Sequence, residues 1–260
     1  NGGGRVAFTT LSAGRDITAT VGGLISITSA SAGRDLSLYA QGSVSGVSLS
    51  ANNSSVIHAY GTSGDLSITT VSAKNSSLTM TAGRHANITL SSAGAALSLT
   101  AEGDVNLLNT TSSLSTLDIV AGGQVALLSG SSRGRAHIQA VTGIQATSLA
   151  SSQADLLLET TSGLTSVQTA SAYTQLVIQN GTDLNLGNLR SSSSSITLSA
   201  SRDINMSSAI SSADIAVSAG RNASVGNLTT SNGAITLNGV DVSGGNISSK
   251  NDLTITASGD

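Results

Sequence analysis

The apolar residues of this chain recur in pairs two positions apart. Leu36 and Leu38, Ile204 and Met206, Ile215 and Val217, Ile235 and Leu237, and Leu253 and Ile255 each flank one Ser, Thr, Asn or Ala. That spacing puts both members of a pair on one face of a strand, and no 3.6-residue helical spacing competes with it. Clusters such as "SAG", "SSS" and "SGG" separate the pairs and read as turns.

The pattern repeats along the chain. The polar residue ahead of a pair falls at Asp65, His85, Asp104, Gln124, Gln145, Thr165, Asp183, Asp203, Asn222 and Asp241, in steps of 18 to 21 residues. A weaker series, from Ser77 and Ala96 through Asp155 and Asp214 to Asp252, lies between these positions. Each repeat therefore holds two short strands and two turns. Strands this short bury an apolar face only when coils stack on one another and share a continuous interior. The expected fold is all-β: a right-handed parallel β-helix of about thirteen coils of roughly 20 residues, running as one segment over residues 1–260. One interval breaks the rhythm, the 30 residues from Asp35 to Asp65. Either a loop protrudes within Ser50–Gly61 ("SANNSSVIHAYG") or an extra half-coil is inserted there.

Composition narrows the function classes. Apolar residues make up 38% of the 260 residues and charged ones only 10%, with no Pro, Cys or Trp. Disordered chains are rich in charge and Pro, so this one is expected to fold. Pro would also remove ladder hydrogen bonds between coils. A net charge of −3 and only 2% aromatics argue against a nucleic-acid partner, which selects a basic surface with stacking rings. Phe8, Tyr39, Tyr60 and Tyr173 stand far apart in the sequence. No apolar run approaches the roughly 18 residues of a membrane-spanning helix. The opening "NGGGRVAFTT" has no signal-peptide core. The chain starts and stops in mid-repeat, which reads as a fragment of a longer filament.

One phrase recurs: "SAGRDITAT" from Ser12, "SAGRDLSLYA" from Ser31, "TAGRHANITL" from Thr81, "SASRDINM" from Ser199 and "SAGRNASV" from Ser218. It is either a repeated turn or a repeated binding site, and the turn is the stronger reading. Gly would supply the positive φ of a tight corner, and Asp or Asn would bond its own backbone across the turn. Arg would lie over the adjacent coil and offset the stacked carboxylates. The corner residues are then Arg15, Asp16, Arg34, Asp35, Asp65, Arg84, His85, Asp104, Asp183, Arg202, Asp203, Arg221 and Asn222.

With "AGRDLSL", "AEGDVNLL", "AGGQVALL" and "SRDINM" in units of about 20 residues, the chain resembles the filamentous haemagglutinin repeats. These occur in two-partner secretion exoproteins of Gram-negative bacteria, including large adhesins and contact-dependent growth inhibition proteins. The likeness is strongest over residues 12–128 and 195–260 and looser from Arg133 to Asn180. It implies a filament secreted or displayed on the cell surface with the help of a dedicated outer-membrane secretion partner. It carries over no catalytic residue.

Candidate chemistry adds little to that picture. The acids outside the corner series include Glu102, Asp118 and Glu159, and only Glu102 with Asp118 falls near enough in register to pair across one coil. No carboxylate cluster of the kind glycosidic chemistry needs is evident, so no enzyme and no cofactor are expected. His58, His85 and His137 are too dispersed for a zinc site, and Arg beside each Asp would repel calcium. The candidate contact surface is Asn52, Asn53, His58 and Tyr60, within the irregular interval. Three functions follow: a shaft projecting a functional tip from the cell, an adhesive module binding a cell-surface receptor or glycan along its flank, and, least favoured, a carbohydrate-active β-helix enzyme.

Overall fold

The computed structural model describes residues 4–259, which are strand and turn with no helix. The chain divides into two compact units, one running to Arg133 and one starting at Gly134.

In the first unit, long strands of eight or nine residues alternate with short strands of five: Val6–Ala13, Ile17–Val21, Ile25–Ala32, Leu36–Ala40 and onward to Gln124–Ser132. Long strands pair only with long, short only with short, and every pairing is parallel. Val6 lies beside Ile25, Ile25 beside Val44 and Ile17 beside Leu36, so one coil takes 19 residues there. The second unit repeats the plan from Ala136–Ala140 to Leu253–Ala257, with coil steps such as Leu184 to Ile204 and Ile204 to Ala223. The fold is thus a parallel β-solenoid, with about 13 turns over the two units.

Two-residue alternation accounts for the short strands. Leu36 and Leu38, Leu78 and Met80, and Leu97 and Leu99 are at most 1% exposed and stack coil upon coil. Each fully buried Leu contributes roughly 1.5–3 kcal/mol of transfer free energy. Long strands depart from the expected pattern. In Leu66–Ala73 the buried residues are Leu66, Ile68, Val71 and Ala73, and Thr69 has no place in the ladder register. One residue out of phase bends the strand, and both halves face the interior.

At the end of the long strand the interior narrows, and small residues fill it: Ala32, Ala51, Ala73 and Ala93 in the first unit, then Ser112 and Ser132. Ser151, Ser191, Ser211 and Thr230 take this place in the second unit. Buried hydroxyls need partners. Ser151 donates to the Gly134 carbonyl at 2.7 Å and Ser211 to the Ser194 carbonyl at 2.6 Å.

The 30-residue interval has a simple origin. Asp16 and Asp35 precede the short strands Ile17–Val21 and Leu36–Ala40, whereas Asp65 precedes the long strand Leu66–Ala73. The acidic landmark changes corner, so the interval counts one and a half coils. Ser50–Gly61 holds neither a protruding loop nor an inserted half-coil, because it spans the end of one long strand, a turn and the short strand Ser55–Ala59. The extra residues sit just beyond, in the turn 60–65, where Gly64 N–H bonds the Gly61 carbonyl at 2.7 Å.

The corner glycines also differ from expectation. Among the described residues only Gly143 (φ 141°) and Gly163 (φ 75°) have positive φ. What the "AGR" corner requires is absence of a Cβ: one built on Gly33 would lie 2.2 Å from the Gly14 carbonyl oxygen, and on Gly83 1.9 Å from that of Gly61. Backbone of one coil passes directly over backbone of the last.

Candidate functional site

The corner aspartates act between coils. Asp35 Oδ1 accepts the Ser54 amide at 3.1 Å, Asp65 Oδ1 the His85 amide at 3.1 Å and Asp104 Oδ1 the Gln124 amide at 2.9 Å. Asp16 Oδ1 reaches the Asp35 amide at 3.3 Å. In the second unit Asp183 Oδ1 accepts the Asp203 amide at 3.2 Å and Asp203 Oδ1 the Asn222 amide at 3.1 Å. The expected bond to each residue's own turn is replaced by one to the next coil. His85 performs the same task with an imidazole, its Nδ1 accepting the Asp104 amide at 2.9 Å.

Arginine completes the corner. Arg34 places Nε 2.8 Å from Asp16 Oδ1, with Nη2 on Oδ2, and lies 3.1 Å from Asp35. Arg84 holds Asp65 in the same way, while Arg202 meets Asp183 at 3.5 Å and Arg221 meets Asp203 at 3.0 Å. Hydrogen bonds from Arg34 and Arg84 hold the Asp16 and Asp65 carboxyls below the ordinary carboxylate range. Arg15 adds its charge to the field at Asp16. Stacked carboxylates about 4.8 Å apart would otherwise repel one another. Such partly exposed pairs are worth about 0–1 kcal/mol each. With every carboxylate oriented toward an amide or a guanidinium of the next coil, these corners are framework.

The second cluster has a different character. Tyr39 and His58 are register partners on adjacent short strands, and Tyr60 follows two residues after His58 on the same outward face. The three rings stack: Tyr39 to His58 at 5.4 Å and 23°, His58 to Tyr60 at 4.9 Å and 16°, Tyr39 to Tyr60 at 6.3 Å and 7°. Backbone bonds from Gln41 to Val21, Tyr60 to Ala40 and Gly83 to Ala59 align Gly22, Gln41, Tyr60 and Gly83 as one column. Thr20, Tyr39, His58 and Thr81 form the column beside it. Small residues thus bound the rings on both sides. One depression of about 350 Å³ lies against Tyr39 and Tyr60 over Thr20 and Gly22. Another of about 410 Å³ lies between Tyr60, Thr62, Thr81, Gly83 and Glu102. His58 Nδ1 is enclosed without a hydrogen-bond partner, and burial pushes its imidazole below the ordinary histidine value.

Of the candidate contact residues, the structure brings together His58 and Tyr60 and adds Tyr39. Tyr39 and Tyr60 are 21 positions apart in the chain yet meet, contrary to their expected separation, because one coil takes about that many residues. The coil period was the signal that joins them. Asn52 and Asn53 lie at the opposite end of the strand Ser55–Ala59 and are engaged between coils. Asn52 Nδ2 donates to the Gly33 carbonyl at 3.2 Å, and Asn53 Nδ2 to Asp35 Oδ1 at 2.8 Å. Glu102 and Asp118 do not pair in register: Asp118 is beside Ser98, four positions before Glu102. In the second unit His137 Nε2 lies 3.1 Å from Glu159 Oε2 on adjacent short strands. Among the described residues no three His, Asp or Glu gather as a metal site.

No family model, curated protein or solved structure matches the chain.

Proposed function

We propose that this chain is a length of shaft in a bacterial filament, secreted or displayed on the outer surface of a Gram-negative cell by a dedicated outer-membrane partner, which carries a functional tip away from that cell. The observation that supports this reading most is the coil-to-coil economy of the structure. Within each unit, strands, corner carboxylates and arginines all bond the coil before or the coil after. Such an arrangement lengthens by adding coils and makes no demand on distant parts of the chain. The repeated "AGRD" phrases and their resemblance to haemagglutinin-type repeats add the secretion context.

Antibody raised against the purified chain tests the proposal on the source bacterium. Labelling of intact cells, lost when the outer-membrane partner gene is deleted, is the expected result. Labelling only after permeabilisation would overturn it. Removal of one coil in register, residues 97–116, should leave both display and tip activity intact, since Leu97 and Leu117 occupy equivalent places. A loss of tip activity with normal display would assign that activity to the coils themselves.

A further inference from the structure

From the stacked rings of Tyr39, His58 and Tyr60 and the two depressions beside them, we infer a binding site for a neutral oligosaccharide on the short-strand face of the first unit. This inference does not rest on the shaft proposal, since a flank site serves equally in an adhesive module.

Four residues of the whole chain are Phe or Tyr, and two of them meet here with one of three histidines. A solenoid gains nothing for its core from this cluster, because all three side chains project outward from strands whose interior Leu38 and Ile57 already fill. Tyr60 is 51% exposed, so the ring is held up by its neighbours and still open to a ligand. The rings stand nearly parallel, so the stack has free faces only at its ends. Those faces border the two depressions, one over Thr20 and Gly22 and one toward Thr81 and Gly83. Had either flanking coil carried bulky outward residues, there would be no room on that side.

Ligand class follows from shape and charge. The C–H face of a pyranose is polarised positive and seats against the negative face of an aromatic ring, while its rim of hydroxyls seeks hydrogen bonds. Here a ring face borders each depression, and Thr20, Gln41, Thr62, Thr81 and Glu102 supply polar atoms around them. Volumes of about 350 and 410 Å³ on either side of Tyr60 are within the usual range for a small-ligand pocket, and give room for sugar units on both faces of that ring. Glu102 is the one charged residue lining either depression. An anionic glycan would meet its carboxylate with no cation to compensate, so the preferred ligand is uncharged. A quaternary ammonium group also binds aromatic rings, but it needs ring faces converging on one point, and parallel rings do not form such a cage.

The purified chain can be screened on an array of neutral and acidic oligosaccharides, and the strongest neutral ligand titrated by intrinsic tyrosine fluorescence. With no Trp and three tyrosines, the signal reports largely on this cluster. Saturable binding of neutral oligosaccharides is expected, weakened about tenfold or more by Tyr60→Ala and by Tyr39→Ala. Tyr173→Ala, in the other unit, should bind as the parent does. Because Tyr39 is half-buried, Tyr60→Ala with an unchanged circular dichroism spectrum is the deciding variant. Selection of acidic glycans, binding of choline in preference to sugars, parental affinity in Tyr60→Ala, or no neutral ligand bound at millimolar concentration would each overturn the inference.

Discussion

The Arg84 guanidinium reaches back one coil to the Asp65 carboxylate, with Nε 2.9 Å from Oδ1, and the same Oδ1 accepts the His85 amide at 3.1 Å. One carboxylate thereby satisfies a backbone donor at the break in the ladder and a cation above it. The two tasks differ in worth.

Removing the acceptor should cost more than removing the cation. Asp65→Ala leaves the His85 amide without its partner, for about 1–3 kcal/mol of destabilisation. Arg84→Ala deletes a partly exposed ion pair and should cost no more than about 1 kcal/mol. Urea unfolding of both variants decides the order, and equal costs would mean that the ion pair carries the corner.

Acid should unfold the chain in two stages. Burial lowers the His58 imidazole, so the folded state binds fewer protons there than the unfolded state does. That contribution is complete at neutral pH and declines as pH falls through the ordinary histidine range, near pH 6.5. The Asp65 and Asp155 carboxyls are lowered chiefly by hydrogen bonds from Arg84 and Thr174, so their contribution is present above about pH 4 and lost as pH falls through their folded values. Thermal midpoints across pH 3–7 should show both limbs. His58→Thr, which installs the residue found at Thr81 on the next coil, should remove the upper limb alone.

Gly83→Ala should destabilise by about 1–3 kcal/mol, because the new methyl meets the Gly61 carbonyl oxygen at 1.9 Å and backbone cannot rotate away as a side chain would. Gly14→Ala changes the same phrase where nothing lies within 4 Å of the added carbon, and should be neutral. Similar melting temperatures for the two variants would refute close approach as the reason for these glycines.

The last coil leaves core-facing residues open. Leu253 and Ile255 are 48% and 50% exposed, although their register partners Ile235 and Leu237 are fully buried. An uncovered apolar edge with unpaired ladder groups favours association. Purified at high concentration, the chain should sediment as oligomers, and Leu253→Lys with Ile255→Lys should return it to monomer. A monomer at every concentration without the substitutions would contradict this.

Periodicity alone carried the fold. Apolar pairs two apart at intervals near 20 residues specify short parallel strands stacked as coils, because no other arrangement buries so many small faces at once. Register and chemistry at the corners were less legible. Asp35 and Asp65 look alike in the sequence, yet precede strands of different sheets, since both turns of a coil welcome an acidic residue for the same reason: an interrupted ladder exposes an amide there. Glycine in "AGRD" reads as a device for positive φ, and only the passage of one backbone over another shows it to be clearance. The aromatic stack was decided by tertiary structure altogether. Tyr39 and Tyr60 are distant along the chain, and the coil length that joins them, stretched by the added residues of the turn 60–65, becomes visible only when each residue is assigned to its place on the solenoid face. Sequence determined what repeats, and three-dimensional stacking decided what meets.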